Sequence, residues 1–247
     1  MSGHNRWAKL KRRKAVDDSR RSKVWTKILR EIQISTKIGG PDPAGNPRLR
    51  LAIDKARAVN MPKDRIKGSI EKGAGAAGGE SFEDITYEGY GPGGAALVVL
   101  TTTDNRARTV ADLRHLFDRF GGNLGTTGSV AWMFKKHGLI TVARAAADED
   151  RLMELALDAG ARDVRDDGEV WTVDCDPAAL VKVQDALAAA GVAVEHADVD
   201  YIPETRVALD GHKAETMLKL IALLEDLDDV QNVYGNHDIP DEILEKL

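Results

Sequence analysis

The sequence predicts an α+β protein of three domains, in which an N-terminal basic three-helix bundle precedes two ferredoxin-like α/β domains, the second inserted in the first. Three observations support this prediction. Apolar residues recur at helical spacing in the N-terminal third, a glycine-rich stretch follows at 73–79, and strand and helix patterns alternate beyond it. The predicted domains are 1–79 for the helical bundle, 80–136 with 203–247 for the first α/β domain, and 137–202 for the inserted one.

Three helices are predicted in the first domain. The first is expected to begin at about Asp17 or Ser19 and to run to Ile38, with an apolar stripe that begins at Trp25, and the Gly-Gly-Pro sequence at 39–41 ends it. Asn46-Pro47 places an N-capping side chain before a proline, which favours the start of a second helix. A third, short helix is expected at 62–73. Short connections between three helices are typical of a small bundle.

Strand and helix signals alternate after the glycine-rich stretch. In the first α/β domain we expect strands at 85–90 and 95–103, a helix capped by Asp104 or Asn105, and a strand near 130–134. A strand at 205–209, a helix from Asp210 and a strand at 230–234 supply the rest of the same domain.

The inserted domain is predicted from the order of its elements. They are a strand at 139–142, a helix at 148–159, hairpin strands at 163–164 and 170–174, a helix opened by Asp176-Pro177, and a strand at 192–199. This order of strand, helix, two strands, helix and strand is that of the ferredoxin-like split.

The composition is that of an ordinary globular chain, with 43% hydrophobic and 30% charged residues. The longest purely apolar run, Ala95–Leu100, is far shorter than the roughly 20 residues that cross a bilayer, and the N-terminus lacks the apolar segment of a secretory signal. The single cysteine, Cys175, excludes an internal disulfide and a multi-cysteine zinc site. We therefore expect a cytoplasmic protein with no membrane partner.

Charge divides the chain into two parts of opposite sign. Residues 1–80 contain 20 Lys/Arg and 8 Asp/Glu, a net charge of +12, whereas the remaining 167 residues carry a net charge of −17. A basic run is either a solvated tail or a surface that binds a polyanion. Because Trp7 lies within the run and a helical pattern follows directly, we favour nucleic acid as the partner. The acidic remainder would repel a phosphate backbone, which restricts the contact to the N-terminal third or to a local exception on the acidic body.

The candidate nucleic-acid-binding residues are cations of this region together with one aromatic residue. Lys and Arg side chains neutralise phosphates, and an indole ring stacks on a base. They are Arg6, Trp7, Lys9, Lys11, Arg12, Arg13, Lys14, Arg20, Arg21, Lys23, Arg48 and Arg50.

Two glycine-rich loops in the first α/β domain, at 89–94 and 121–129, form a possible secondary site. Neither matches the phosphate-binding GxxxxGK[ST] pattern, and a strand rather than a helix follows the first loop. The glycines either permit tight turns or form a concave row of backbone N–H groups that receives an anion, and the sequence leaves both readings open. The candidate residues of this loop site are Tyr90, Gly91, Gly93, Gly94, Asn105, Arg106 and Asn123.

The patterns of catalytic and metal sites are not found in the sequence. The six histidines show neither H-x₃-H nor HExxH spacing. Cys175 alternates with Trp171 and Val173, which favours a core thiol over a nucleophile. Asp166-Asp167 and Asp228-Asp229 lie in predicted turns, where the local backbone favours aspartate. We therefore predict no enzymatic activity, no metal, no cofactor and no obligate small-molecule ligand, and a monomer or weak oligomer.

Several long motifs, taken together and in order, resemble the YebC/PmpR family. They are Gly3-His4-Asn5-Arg6-Trp7-Ala8, Asn46-Pro47-Arg48-Leu49-Arg50-Leu51-Ala52-Ile53, Asn60-Met61-Pro62-Lys63-Asp64, Tyr87-Glu88-Gly89-Tyr90-Gly91-Pro92-Gly93-Gly94, Thr103-Asp104-Asn105-Arg106, Gly121-Gly122-Asn123-Leu124-Gly125, Ser129-Val130-Ala131-Trp132-Met133-Phe134 and Asp226-Leu227-Asp228-Asp229-Val230-Gln231-Asn232-Val233-Tyr234. The resemblance implies a helical domain followed by two α/β domains, the second inserted in the first. It also implies a DNA-binding transcriptional regulator, with mitochondrial relatives that activate translation and bacterial members tied to the ribosome and to proline-rich stalls.

The expected function is therefore that of a non-enzymatic nucleic-acid-binding regulator of gene expression. The family's usual description favours a DNA-binding transcriptional regulator. The charge segregation favours the alternative, a translation factor that binds ribosomal RNA, because a thin basic element can enter RNA while an acidic body stays outside. Phosphate contacts carry no sequence information, so the residues alone leave both open.

Overall fold

Three helices form the N-terminal bundle of the computed structural model, which describes residues 18–75 and 82–244. They are α1 (Asp18–Gly39), α2 (Pro47–Ala58) and α3 (Lys63–Gly73). The three predicted helices are confirmed, and the ends predicted for α1 and α3 differ from the observed ones by at most one residue. The glycine-rich stretch at 73–79 lies partly outside the described residues.

Asn46 explains why α2 begins where it does. Its carboxamide oxygen accepts the Leu49 N–H at 3.1 Å, and its Nδ2 donates to the carbonyl oxygens of Ser35 and Gly40, both at 2.8 Å. Pro47 then occupies the first turn, where an N–H would have no intrahelical acceptor. One buried side chain thus starts α2 and fixes the turn that follows α1.

An apolar core joins the three helices. Ile32 of α1 and Leu49 of α2 are fully buried, and Trp25 packs against the edge of this core with its ring partly buried. Trp25 begins the predicted apolar stripe, and the structure places it at the margin of the core. The buried members of the core are Ile32, Leu49, Ala52, Ile53, Ala56, Met61 and Ile66.

Residues 82–133 begin the first α/β domain. Their elements are β1 (Glu83–Tyr90), β2 (Ala96–Thr103), α4 (Arg106–Arg119) and β3 (Asn123–Leu124). β1 and β2 pair antiparallel along their whole length, from Glu83 opposite Thr103 to Tyr90 opposite Ala96. The turn at 91–94 therefore lies at one end of this hairpin, and the start of α4 lies at the other.

Residues 134–202 form a compact unit of their own. Its elements are β4 (Phe134–Ala143), α5 (Glu149–Ala159), β5 (Ala161–Asp166), β6 (Val170–Cys175), α6 (Leu180–Ala189) and β7 (Val194–Pro203). The strand order is β5-β6-β4-β7, and β6 pairs antiparallel with both β4 and β5. This is the ferredoxin-like arrangement that the order of elements predicts.

The chain then returns to complete the first sheet. The remaining elements are β8 (Val207–Ala208), α7 (Gly211–Asp226), β9 (Val230–Gly235), β10 (His237–Asp238) and α8 (Asp241–Leu244). The sheet order is β3-β1-β2-β9, so the first sheet is assembled from both sides of the insertion. Leu97 of β2, Phe117 of α4 and Met217 of α7 lie in its fully buried core. The described residues 18–133 and 203–244 make up the second compact unit.

Several strand predictions differ from the structure. The strand expected near 130–134 is wrong, because Ala131–Met133 is a 3₁₀ turn and the strand begins only at Phe134. The strand expected at 205–209 shrinks to β8, which pairs in parallel with β10, a strand that the sequence did not indicate. The domain boundaries at 79, 136 and 202 stay predictions.

Candidate nucleic-acid interface

One face of α1 contacts other elements of the same chain. Lys23, Lys27 and Arg30 recur at the spacing that places side chains on a single helix face. Lys23 Nζ lies 2.7 Å from a carboxylate oxygen of Asp226, and Lys27 Nζ donates to the carbonyl oxygen of Glu225 at 2.5 Å. Both acceptors are at the C-terminal end of α7, where the helix dipole favours cations. We call Lys23, Lys27 and Arg30 the inner basic face.

Arg30, the third cation of the inner basic face, contacts the buried residue Asp229. Only 6% of its surface is exposed, and its carboxylate accepts hydrogen bonds from Arg30 Nη1 at 2.8 Å, Arg108 Nη2 at 2.8 Å and Thr109 Oγ1 at 2.7 Å. Burial raises the pKa of Asp229, but the hydrogen bonds and the positive charges of the two arginines outweigh it and hold the pKa below its usual range. The carboxylate therefore ties α1 to the start of α4.

Arg48 is held in the same way between the bundle and the sheet. Its Nε and Nη2 donate to the two carboxylate oxygens of Glu31, at 2.6 and 2.9 Å, and its Nη1 donates to Asp84 at 2.6 Å. Burial lowers the pKa of Arg48, and the two carboxylates raise it by more, so the guanidinium is firmly charged. Arg48 thus links α1 and α2 to β1.

A second surface of the bundle has a different character. The guanidinium groups of Arg21 on α1 and Arg65 on α3 each lie 5.9 Å from the centre of the Trp25 ring, a cation–π arrangement. Trp25 Nε1 donates to the carbonyl oxygen of Val59 at 3.4 Å, which orients the ring. Both arginines are exposed. We call Arg21, Trp25 and Arg65 the outer basic patch.

The exposed charges of the described bundle are mostly positive. Over residues 21–75, eight Lys or Arg side chains are exposed and only three Asp or Glu side chains. The exposed cations are Arg21, Lys23, Lys37, Arg57, Lys63, Arg65, Lys67 and Lys72. This surface suits a polyanion better than an acidic partner.

The candidate nucleic-acid-binding residues fall into three groups. Arg6, Trp7, Lys9, Lys11, Arg12, Arg13, Lys14 and the side chain of Arg20 lie outside what the structure describes. Arg21 belongs to the outer basic patch, whereas Lys23 and Arg48 make the ion pairs given above, and the Lys23 pair is exposed. Arg50 is half-buried on α2. Arg65 is a cation that the sequence analysis missed; it shares a ring with Arg21, which only the packing of α3 on α1 reveals.

The first glycine-rich loop is a closed turn. Gly91 N–H donates to the carbonyl oxygen of Ala95 at 2.8 Å, and Gly94 N–H donates back to Gly91 at 3.0 Å. Gly93 and Gly94 have φ of 75° and 77°, in the left-handed region that glycine tolerates best. The tight-turn interpretation fits this loop, since the N–H groups of Gly91 and Gly94 are used within it and Gly93 and Gly94 adopt positive φ.

The second glycine-rich loop does surround an anion, and the anion is the protein's own Glu88. One carboxylate oxygen accepts the Gly128 N–H, and the other accepts those of Val130 and Ala131, all at 2.7 Å. Burial raises the pKa of Glu88, but the three donors outweigh it and the net pKa is below the usual value. These donors explain the missing strand at 130–134, because N–H groups turned toward Glu88 cannot join a strand ladder.

The residues of the proposed loop site are not gathered at one place. Tyr90 and Asn123 are paired across β1 and β3, next to the turn at 91–94. Asn105 lies beyond the opposite end of β2, where its side chain accepts the Arg108 N–H at 3.1 Å and caps α4, with Arg106 following it. The eight-residue strand between them spans about 25 Å.

Trp132 is an exposed residue that the sequence analysis placed in a strand. Its side chain is 69% exposed, and its Nε1 donates to the carbonyl oxygen of Ser129 at 3.2 Å. Alternation in a strand would put Trp132 on the face of Val130 and Phe134, which are both buried. The 3₁₀ turn breaks that alternation and turns the indole outward.

Cys175 and the metal-ligating side chains are the remaining candidates for chemistry that the sequence raises. Cys175 is fully buried, and burial raises the pKa of its thiol to about 11, so it is not a thiolate near neutral pH. Across 18–75 and 82–244, no three His, Cys, Asp or Glu side chains are grouped so as to hold a metal ion. In the same residues no helix has the length and apolar character needed to cross a bilayer.

Comparison with known proteins covers the whole chain. Residues 5–76 match the model of the TACO1/YebC protein N-terminal domain, and residues 82–237 match that of the TACO1/YebC second and third domain. Similar chains named probable transcriptional regulatory protein occur in Geobacter sulfurreducens, at 53% identity over 247 residues with both chains fully covered, and in Syntrophus aciditrophicus, at 52% identity over 248 residues, which covers 100% of this chain and 99% of the other. The crystal structure of the conserved hypothetical protein Aq1575 from Aquifex aeolicus is 45% identical, covers 92% of this chain and 94% of its own, and superposes with a TM-score of 0.84.

Proposed function

This chain belongs to the TACO1/YebC family, and we propose from this premise that it is a non-enzymatic regulator of gene expression that binds nucleic acid through its basic N-terminal domain. The observation that supports the proposal most is the separation of charge on α1. The inner basic face is paired with α7 and Asp229, whereas the arginines of the outer basic patch are exposed. In the sequence, a further run of Lys and Arg precedes residue 18.

Phosphate contacts account for binding without a catalytic site. Each cation that replaces a condensed counterion on a phosphate backbone contributes to affinity, independently of sequence. The net charge of +12 over residues 1–80 supplies enough cations for several such contacts. The net charge of −17 over the rest of the chain disfavours phosphate contacts by the α/β domains, so the phosphates are expected to contact the N-terminal domain.

DNA is the first candidate for the nucleic acid, because relatives about half identical to this chain carry the name of transcriptional regulators. Ribosomal RNA is the second. The observation that favours it is the acidic body, which is repelled by a duplex lying along it but is not disturbed when the basic domain alone enters a folded RNA.

Retention on two targets at the same salt concentration tests the proposal. The full chain is tested for co-sedimentation with purified ribosomes and for retention on promoter-length duplex DNA, with Arg21→Gln/Arg65→Gln as the test variant and Lys27→Gln as the control. We expect the double variant to bind the preferred target more weakly by about 10-fold or more, and the control to differ little, since Lys27 is half-buried and donates to the Glu225 carbonyl oxygen. Failure of the wild-type chain to bind either target contradicts the proposed function.

A further inference from the structure

Trp132 is the most exposed of the large apolar side chains that stand out from the described surface. It is 69% exposed, compared with 66% for Ile38 and 45% or less for Met153, Leu157 and Leu223. Indole rings are usually buried for most of their area, so a ring that is this exposed is a candidate for contact with a partner.

The ring is held in place by its surroundings. Trp132 Nε1 and Tyr90 Oη both donate to the carbonyl oxygen of Ser129, each at 3.2 Å, so two aromatic side chains converge on one atom. The loop that carries this carbonyl is fixed by the Glu88 carboxylate through the N–H groups on either side of Ser129, those of Gly128 and Val130. The indole is therefore oriented before any partner arrives, which lowers the entropy cost of a contact.

The neighbours of the ring favour a flat partner. The adjoining loop residues Thr126, Thr127 and Gly128 are exposed and offer hydroxyl and backbone groups rather than apolar surface. A protein partner would need an apolar surround that excludes water from the anchor residue. A nucleobase needs only one π-face to stack on and polar groups within reach of its edge.

We propose that Trp132, held together with Tyr90 on the carbonyl oxygen of Ser129, is a stacking platform for an unpaired nucleobase. This rests on the proposed function, and adds that the bound nucleic acid has single-stranded or extruded bases. Bases inside a duplex already stack on each other and present no free face, whereas loops and bulges of RNA do. The basic N-terminal domain contacts phosphates, and the platform then selects for unpaired bases.

The test compares single-stranded and duplex ligands. Binding of a labelled single-stranded RNA of about 16 nucleotides without self-complementarity, and of the same sequence as a duplex, is measured by fluorescence anisotropy for Trp132→Ala, Trp132→Phe and the control Leu223→Ala. Stacking of one base predicts that Trp132→Ala weakens single-strand binding by about 5- to 100-fold while duplex binding stays within about 2-fold. Trp132→Phe should restore most of the affinity, and Leu223→Ala should match the wild type.

A spectroscopic readout separates stacking from a structural role. Stacking on a base quenches indole fluorescence, so the single-stranded RNA should quench the wild type more than Trp132→Phe, and thermal unfolding of Trp132→Ala should match the wild type. Equal binding of the single strand by Trp132→Ala and the wild type overturns the platform and leaves the proposed function intact. An equal loss of affinity for the single strand and for the duplex also overturns the platform. No binding of either RNA by the wild type also overturns the platform, whereas the proposed function fails only if ribosomes and duplex DNA are not bound either.

Discussion

Glu88 shows how a single buried carboxylate can organise a glycine-rich loop. Only 3% of its surface is exposed, and it accepts three backbone N–H groups from residues 40 to 43 positions further along the chain. Charge-assisted hydrogen bonds of this kind are shorter and stronger than those between neutral groups. The loop thus resembles an anion-binding nest whose ligand is part of the chain.

Replacing this carboxylate should destabilise the first α/β domain. In Glu88→Gln the amide NH₂ faces a backbone donor and leaves it unsatisfied, so we expect the free energy of unfolding to fall by about 2–3 kcal/mol. Urea unfolding at neutral pH measures it. Glu83→Gln is the matched control, because Glu83 is an exposed residue of the same strand and should change stability by no more than about 0.5 kcal/mol.

The same substitution has a definite pH dependence. Since the folded-state pKa of Glu88 is below the usual value, its stabilising contribution is fully present above the unfolded pKa of about 4.3 and is lost as the pH falls through the folded pKa. The stability difference between wild type and Glu88→Gln should therefore be constant from pH 7 to about 5.5 and shrink below about 4. A difference that grows on acidification contradicts this assignment.

At the scale of elements, the two basic surfaces of α1 have different surroundings. The inner basic face docks on the end of α7 and on Asp229, and the outer basic patch surrounds a half-buried tryptophan. Hydrophobic spacing predicts the helix and its capped neighbour α2 from local sequence alone. The partners of the cations could not be predicted in this way, because Arg30 and Asp229 are 199 residues apart.

Asp229 joins α1 to α4, and its removal should loosen that junction. Asp229→Asn leaves Arg30 and Arg108 without their shared countercharge, so we expect a loss of about 2–4 kcal/mol in the free energy of unfolding. Asp226→Asn removes an exposed pair with Lys23 and should cost less than about 1 kcal/mol. Chemical denaturation of the two variants compares them, and equal effects would show that the Asp229 contacts carry no special weight.

At the scale of the molecule, the sequence predicts the fold well and predicts poorly which side chains are exposed. Helices and most strands follow from apolar periodicity. Their ends follow from Asn46-Pro47, which starts a helix, and from glycines in turns, and all of these signals are local. The outward turn of Trp132 depends on Glu88, which lies 44 positions earlier in the chain, and strand alternation conceals it. Tertiary contacts of this range, rather than local propensity, decide which side chains reach the surface.

The charge separation of the whole chain is the basis of the proposed function. The basic run and the outer basic patch lie in the N-terminal third, while the remaining residues are acidic. If the cations bind phosphates, the number of phosphate contacts can be measured from the salt dependence of the affinity. Each contact adds about −0.9 to the slope of log K against log salt for a duplex and about −0.7 for a single strand.

The most direct measurement is therefore this slope for the full chain and for Arg12→Gln/Arg13→Gln/Lys14→Gln, on the target that the wild type retains. With two or three of these cations on phosphates at once, the slope should flatten by about two units, with a loss of affinity that is nearly uniform across sequences and an unchanged circular dichroism spectrum. Lys27→Gln, which replaces a half-buried cation of the inner basic face, should leave the slope nearly unchanged. An unchanged slope in the triple variant would show that these charges are solvated and bind nothing, and would contradict phosphate recognition by the basic N-terminal run.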